Sequence, residues 1–261
     1  MFIEVHTENF SEIVFALIST LFFLGHNLWL VAKDETNETV IEVVTSDTFP
    51  KSESAVKPER IADFRAFTQN KSVEITEYKH EGNSLVAKLK SDEQPQIIAL
   101  ELYPHPIVLE AEKFARYIES EAAQNSVAPQ FVAGETQKTQ RESYAKFAKV
   151  LLDNKSFDKI IGQKFEIVLL SNPSLIKPGE KLKFKVLFDG APAQNLRISV
   201  GAEHLNGGDY AAHALTDENG IAELEISEKG LWFARTHLIR PHFDPEQYDW
   251  ESFWTSVTFR V

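Results

Sequence analysis

The feature that most constrains the fold is the segment from Lys181 to Phe188, in which charged and apolar residues alternate strictly as far as Val186. Leu182, Phe184 and Val186 alternate with three lysines, and a Pro-Gly turn precedes the segment while an Asp-Gly turn follows it. A period of two places the apolar side chains on one face and the lysines on the other, as in a strand that covers a core. The segment therefore predicts a β-strand bounded by tight turns.

Segments of the same kind surround this strand in the C-terminal third of the chain. Each is short, rich in β-branched or aromatic residues, and separated from the next by Gly, Pro, Asp or Asn. The strands predicted in this way are Phe165–Leu170, Leu196–Val200, Ile221–Ile226, Leu231–Ile239 and Ser256–Val261. About six short strands with turns between them predict an immunoglobulin-like β-sandwich over residues 161–261.

A second β-region is predicted for residues 26–106, as a meander of short strands that Pro104-His105-Pro106 should end. Its strands are His26–Ala32, Thr39–Thr45, Ile61–Thr68, Ser72–Tyr78, Ser84–Leu89 and Gln96–Tyr103. Residues 107–160 are predicted to be a helical insertion. Leu109–Gln124 has a helical pattern, and Lys138–Asp153 places apolar residues at i, i+3, i+4 and i+7. The expected fold is mainly β, with two β-sandwich-like regions joined by a short helical insertion.

The first 25 residues are predicted to be a signal peptide or another hydrophobic N-terminal segment. Ile13–Leu24 is an unbroken apolar run, shorter than the ~20 residues of a membrane span but typical of an export signal. Glu4, Glu8 and Glu12 replace the basic residues that normally precede such a run, so a buried segment of the mature domain is the alternative. We expect a periplasmic or otherwise extracytoplasmic protein with no stable membrane span after processing.

Composition and motifs narrow the function. A net charge of −12 argues against a nucleic-acid partner, which requires clustered Lys and Arg. The absence of cysteine excludes disulfides, thiolate metal sites and cysteine nucleophiles. The chain contains no G-x-S-x-G, P-loop, G-x-G-x-x-G or H-E-x-x-H pattern. We therefore expect a protein that is not an enzyme. The alternative is a hydrolase whose nucleophile and base come from distant parts of the chain.

Histidines supply the candidate metal ligands. His237 and His242 flank Pro241, which should break the strand and let both rings turn to one side, with Asp244 just beyond. Imidazole with carboxylate suits a divalent transition metal such as Ni, Co, Cu or Zn. His26 would become the N-terminal residue after cleavage behind Gly25, so that its amine and Nδ1 could chelate one ion. The alternative for all of these residues is an ordinary solvated or hydrogen-bonded role.

Two tryptophans are the candidate ligand-binding residues of a different kind of site. Trp250 and Trp254 lie in an aromatic and acidic segment, Asp249–Trp254, and could line a pocket. Such residues also serve to cover the open end of a sandwich core.

Six segments, in this order, resemble a bacterial family of secreted proteins of unknown function that was formerly described as a substrate-specific component of nickel/cobalt uptake. The segments are Gly25–Leu30, Phe49–Ile61, Arg141–Lys149, Thr216–Gly220, Gly230–Arg240 and Asp249–Phe259. The resemblance covers nearly everything from Gly25 to Val261. It implies a β-rich architecture and an accessory role near metal transporters.

The resemblance also places family motifs on particular residues. The family's small residue, His, polar residue and Trp after the signal correspond to Gly25, His26, Asn27 and Trp29, and its motif around a late histidine corresponds to Arg235–His237. The expected function is a periplasmic accessory protein that handles nickel or cobalt during uptake, with metal-transport components as partners. The alternative is a metal-independent β-sandwich binding module for a protein or a glycan.

Overall fold

The structure, a computed structural model, describes residues 26–35, 38–90, 92–121, 138–153, 155–205 and 210–261. The expected signal segment 1–25 lies outside the described residues. Strand is the dominant element of the described chain, which contains one α-helix, α1 (Ala111–Ser120), and 3₁₀ turns at Pro58–Arg60 and Pro173–Leu175. No helix in the described part of the chain is long and apolar enough to cross a membrane.

The strands alternate with short turns along the chain. In chain order they are β1 (Asn27–Glu35), β2 (Glu38–Ser46), β3 (Ile61–Phe67), β4 (Ser72–Glu74), β5 (Tyr78–Glu81), β6 (Ser84–Leu89), β7 (Ile97–Leu109), β8 (Gln140–Leu151), β9 (Phe165–Leu169), β10 (Glu180–Phe188), β11 (Ala191–Pro192), β12 (Arg197–Ala202), β13 (Ala212–Leu215), β14 (Ile221–Ile226), β15 (Leu231–Pro241) and β16 (Trp250–Arg260).

These strands form three sheets. The N-terminal sheet has the order β1-β2-β6-β5, and the C-terminal sheet consists of β9, β10, β11 and β14. The long sheet has the order β13-β12-β15-β16-β8-β7-β3-β4. Its strands β8 and β16 pair in parallel, and this pair joins the N-terminal half of the chain to the C-terminal half.

The two smaller sheets cover opposite faces of the long sheet. Ala145 and Phe147 of β8 belong to the core shared with the C-terminal sheet, whereas Ala148 and Val150 belong to the core shared with the N-terminal sheet. Because neighbouring residues of a strand point to opposite faces, β8 is buried continuously from Ala145 to Leu151. The middle of the long sheet is therefore the central layer of three.

The predicted mainly β fold is confirmed, with sheets that pack face to face at the C-terminal end. The strand predicted at Lys181–Phe188 is β10, and its apolar residues Leu182, Phe184 and Val186 lie in the core. The helix predicted within Leu109–Gln124 is confirmed as α1.

The helix predicted over Lys138–Asp153 is wrong, because this segment forms β8. A strand that is buried on both faces carries apolar residues at odd and even positions alike. In this segment their spacing happens to match that of one face of a helix, so the apolar pattern alone cannot separate the two structures.

The prediction that Pro104-His105-Pro106 ends its sheet is also wrong, because β7 continues to Leu109. The strand β3 pairs with β7 only as far as Leu102, and the β7–β8 register shifts between Leu102 and His105. Proline is tolerated where a strand edge has no ladder partner or where a bulge interrupts the ladder.

Candidate functional site

Polar side chains meet on one face of the long sheet because the registers of β8, β15 and β16 bring them side by side. Lys146 of β8 lies beside Trp254 of β16, and Trp254 lies beside His237 of β15. This face is the one that the N-terminal sheet covers, and we call its polar part the polar face. It consists of Glu142, Tyr144, Lys146, Arg235, His237, Ser252 and Trp254.

The start of β1 and the helix α1 enclose the polar face from two sides. On the β1 side, Lys146 Nζ donates a hydrogen bond to the carbonyl oxygen of His26, and Ser256 Oγ donates to that of Leu28. On the α1 side, Phe114, Tyr117 and Ile118 are buried against Ile239 and Trp250. The polar face is thus a crevice between two elements rather than part of a continuous apolar core.

A cavity of about 250 Å³ opens in this crevice, and we call it the basic pocket. None of the described residues that line it is acidic. Its polar lining comes from strands and turns that are distant in sequence. It consists of His26, Thr45, Ser54, Lys57, Arg60, His105, Tyr144 and Lys146. Cationic side chains therefore converge on one pocket of an otherwise acidic protein.

Lys146 is the most unusual group of the pocket. The side chain is buried, and in the described part of the chain no carboxylate lies within ion-pair distance of its Nζ. Burial lowers the pKa of Lys146 to about 8, and the charges of Arg60 and Arg235 act in the same direction, against Asp47 and Glu142. A buried ammonium without a paired anion is energetically unfavourable, and residues with pKa values perturbed in this way cluster at functional sites.

Arg60 and Tyr144 form the wall beside Lys146. Arg60 donates to the carbonyl oxygen of Tyr103 at 2.9 Å and to the Tyr144 hydroxyl at 3.3 Å, and its guanidinium lies 5.3 Å from the centre of the Tyr144 ring. The buried Nε of Arg60 has no hydrogen-bond partner among the described residues. Because the Tyr144 oxygen accepts from Arg60, its own proton remains available for donation.

Behind this wall, Glu142, Tyr117 and His237 form a buried hydrogen-bond network. Glu142 accepts hydrogen bonds from Ser252 and, at 3.3 Å, from Tyr117, whose hydroxyl is also 2.7 Å from His237 Nε2. Burial raises the pKa of Glu142 to about 7, although its two hydrogen bonds act against the shift. Burial, with Arg235 nearby, lowers the pKa of His237 well below its usual range, so the imidazole is neutral.

The structure places the predicted histidine ligands in different surroundings. His26 Nδ1 is 3.4 Å from Glu53 Oε2 and 3.5 Å from Asp47 Oδ2, and its ring lines the basic pocket. His237 is buried, with its ring 4.2 Å from that of Trp254. Neither of these contacts involves the remaining two predicted ligands.

His242 and Asp244 lie together in the loop between β15 and β16, where the Asp244 backbone N–H donates to His242 Nδ1 at 3.1 Å. The His242 ring contacts Phe243 and Tyr248. Within the described ranges, no group of three or more His, Asp or Glu side chains is arranged to hold a metal ion. Metal binding by His26, His237, His242 and Asp244 therefore stays a prediction.

The two predicted tryptophans differ from each other. Trp250 is buried, stacks on Phe114 at 5.3 Å and donates from Nε1 to Gln140 at 2.8 Å. Trp254 is half-buried on the polar face, between Lys146 and Tyr117. Of the two rings, Trp254 lies nearer to the candidate site.

Sequence reasoning missed Glu142, Tyr144 and Lys146, because it assigned their segment to a helix. The signal was present, since these three residues alternate at a period of two, as on one face of a strand. Arg60 was missed for a different reason: it follows a proline in a polar loop, and nothing in the local sequence indicates that it points into a pocket.

The chain is similar to three solved structures at low sequence identity. The ligand-binding domain of human OSCAR is 9% identical over 90% of this chain and 99% of its own, with a TM-score of 0.23. Domains MG0-NIE-MG1 of Escherichia coli alpha-2-macroglobulin are 10% identical over 78% and 91%, with a TM-score of 0.21. The D0-D1 domain of intimin is 11% identical over 91% and 99%, with a TM-score of 0.22. Scores of this size do not establish a shared fold.

No curated protein matches the chain. A family model described as "Domain of unknown function (DUF4198)" matches residues 23–240. The expected membership in a family of unknown function is thereby confirmed, while the nickel/cobalt role stays a prediction. The chain belongs to the DUF4198 family.

Proposed function

We propose that this protein is a non-enzymatic, extracytoplasmic binding module that holds a small anionic ligand in the basic pocket. The observation that carries the proposal is the convergence of Lys57, Arg60 and Lys146 on a pocket whose described lining contains no carboxylate. The chain as a whole has a net charge of −12, so this concentration of positive charge is local. A local cationic cavity attracts anions even on an acidic protein.

The free-energy cost of burying the Lys146 ammonium also favours a bound anion. A buried ammonium is unfavourable unless an anion and good hydrogen bonds compensate for its lost hydration. In the described chain its only hydrogen bond is to the backbone carbonyl of His26. A bound anion would supply a counter-charge, so relief of this burial penalty would contribute to the free energy of binding.

The donors around the pocket suit an oxyanion. Within the described chain, Lys146 has unused N–H groups, the Nε of Arg60 has no hydrogen-bond partner, and Tyr144 can donate its hydroxyl proton. Carboxylates and phosphates accept hydrogen bonds of this charge-assisted kind, which are about twice as strong as neutral ones.

Calorimetric titration of the purified protein with phosphate, sulfate, glycolate, lactate and citrate tests the proposal. We expect at least one of these anions to bind, with an affinity that falls as salt rises. Lys146→Met should weaken that binding at least about tenfold, since a hydrogen bond to a charged group contributes roughly 1.5–3 kcal/mol. Lys88→Met is the matched control, because Lys88 forms an exposed ion pair with Glu38 on the N-terminal sheet.

The proposal is wrong if none of the anions binds, or if Lys146→Met and Lys88→Met bind the anion with the same affinity as the unaltered protein. Thermal unfolding of both variants must show that they are folded before their affinities are compared.

A second candidate function is the handling of nickel or cobalt during uptake, with metal-transport components as partners. One observation favours it: the His26 imidazole lies beside the carboxylates of Asp47 and Glu53. Imidazole with carboxylate oxygens suits divalent transition metals. If processing exposes the amine of His26, the amine adds a nitrogen donor beside the imidazole.

Titration of the processed protein with Ni, Co, Cu and Zn separates the two candidates. His26→Ala should abolish tight binding of the metal, whereas His80→Ala, at an exposed position of β5, should leave it unchanged. Equal metal affinities for the two variants would rule out this site. Mass spectrometry of the exported protein shows whether its chain begins at His26.

A further inference from the structure

A second, smaller cavity adjoins the basic pocket, and we call it the side cavity. Its volume is about 20 Å³, which is room for one water-sized group. Tyr144 and Lys146 line both spaces, so the side cavity opens beside the lysine that we assign to the anion. The remaining lining consists of Ile107, Leu109, Tyr117, Glu142 and Trp254.

We infer that the anionic ligand carries a methyl-sized apolar branch next to its charged group, and that this branch occupies the side cavity. The inference rests on the proposed function and narrows it to a ligand class. Small carboxylates with a methyl group on the carbon beside the carboxylate, such as lactate, have the required shape.

The chemistry of the lining favours a methyl group over a water molecule. A buried water needs 2–4 polar partners. Glu142 already accepts hydrogen bonds from Ser252 and Tyr117, and the Tyr117 hydroxyl is also shared with His237. The accessible surface of the side cavity is mostly carbon, contributed by the aliphatic side chains and aromatic rings of its lining.

Because the basic pocket and the side cavity share Lys146, we expect the apolar branch on the carbon next to the carboxylate. Lys146 would bind the carboxylate, and the side cavity begins at the same side chain. A methyl group on the neighbouring carbon can therefore reach the cavity without moving the carboxylate. A longer chain would exceed a volume of about 20 Å³ and would have to remain in the basic pocket.

Titration with glycolate and lactate tests the inference, since these two anions differ by one methyl group at the required carbon. Burying a methyl group should make lactate bind about fourfold more tightly than glycolate. Acetate and propionate form a second pair with the same difference and the same expectation.

The variant Ile107→Phe tests whether the methyl group of the ligand occupies the side cavity. Ile107 is half-buried at the side cavity, and a phenyl ring would fill that cavity. We expect this variant to lose the preference for lactate over glycolate. Val108→Phe is the matched control, because Val108 is the next residue of β7 and is 62% exposed, and it should keep the preference.

The possible outcomes separate the two proposals. Glycolate binding that depends on Lys146, without any preference for lactate, overturns the inference and leaves the proposed function standing. A preference that survives in Ile107→Phe also overturns it, because the methyl group then lies elsewhere. Failure of all four carboxylates, and of phosphate, sulfate and citrate, to bind overturns both.

Discussion

Two buried lysines of the same strand illustrate two different uses of charge. Lys146 and Lys149 both lie in β8, with 6% and 1% of their surface exposed, and burial lowers the pKa of both. They are three residues apart, so they point to opposite faces of the long sheet. Lys149 points to the C-terminal sheet and Lys146 to the polar face.

The surroundings of the two ammonium groups are opposite. Lys149 Nζ is 2.7 Å from Glu166 Oε1, and the Glu166 carboxylate also accepts the backbone N–H groups of Ile161 and Gly162 at 3.0 Å each. Lys146 faces a cavity and donates to one backbone carbonyl. Removing one partner of a fully paired buried charge is strongly destabilising, whereas a buried charge whose partners are incomplete is available to a ligand.

The sharpest test of this comparison is Lys149→Met. The variant leaves the Glu166 carboxylate buried without its cation, so it should lower the free energy of unfolding by about 3–5 kcal/mol. Urea unfolding monitored by tryptophan fluorescence measures the change. A loss below about 1 kcal/mol would show that the buried pair contributes no more than a surface one.

Lys183→Met is the control for this experiment. Lys183 pairs with Glu223 at 3.0 Å on the solvated face of the C-terminal sheet, and both side chains are about half exposed. Exposed pairs contribute about 0–1 kcal/mol, so the two lysines should differ by several-fold in their effect on stability.

The comparison depends on the strand assignment of β8, which the sequence predicted incorrectly. In a helix, residues three apart share a face, and Lys146 and Lys149 would have been neighbours. In a strand they lie on opposite faces. The strand β10 could be predicted from the sequence because polar residues on its solvated face alternate with apolar residues on its buried face. The strand β8 is buried on both faces and lacks this alternation.

The candidate site was harder to predict than the sandwich because its residues come from segments that are far apart in the sequence. The sequence indicated His26 and His237 because of their residue type. The structure places His237 on the polar face and His26 in the lining of the basic pocket. Their neighbours Arg60 and Lys146 come from segments whose approach depends on strand pairing and register. Registers of long-range pairs are not encoded in any local pattern, so the basic pocket emerges only from the three-dimensional structure.

The second prediction concerns Glu142, which shares the polar face with Lys146. Its pKa of about 7 in the folded protein lies above its ordinary value of 4.5, so the folded state binds the proton more tightly. Its contribution to stability is therefore complete below pH 4.5 and is lost as the pH rises to about 7. Relative to Glu142→Gln, the protein should lose up to about 3 kcal/mol across this window.

Urea unfolding of both proteins at several pH values between 4 and 8 measures this difference, and groups common to both proteins cancel from it. Glu251→Gln is the matched control, because it makes the same substitution at a carboxylate that pairs with Arg240 and lies on the face of β16 opposite the polar face. A flat difference between the protein and Glu142→Gln would mean that the carboxyl stays ionised, and the polar face would then be better compensated than we infer.

The third and smallest effect is expected for Lys146→Met, and its sign is opposite to that of Lys149→Met. The variant removes a buried charge that has no ion-pair partner among the described residues, so it should raise the free energy of unfolding by about 1–2 kcal/mol at pH 7. The gain is smaller than the burial penalty of the charge because the hydrogen bond to the His26 carbonyl is lost as well.

The pH dependence of that gain identifies its cause. The pKa of Lys146 in the folded protein, about 8, is below its ordinary value of 10.5, so the charge destabilises the fold fully below pH 8 and no longer does so near pH 10.5. The stabilisation by Lys146→Met should therefore shrink as the pH rises through this window. If Lys146→Met instead destabilises the protein at pH 7, Lys146 is a structural residue like Lys149, and the difference between the two faces of β8 does not separate function from stability.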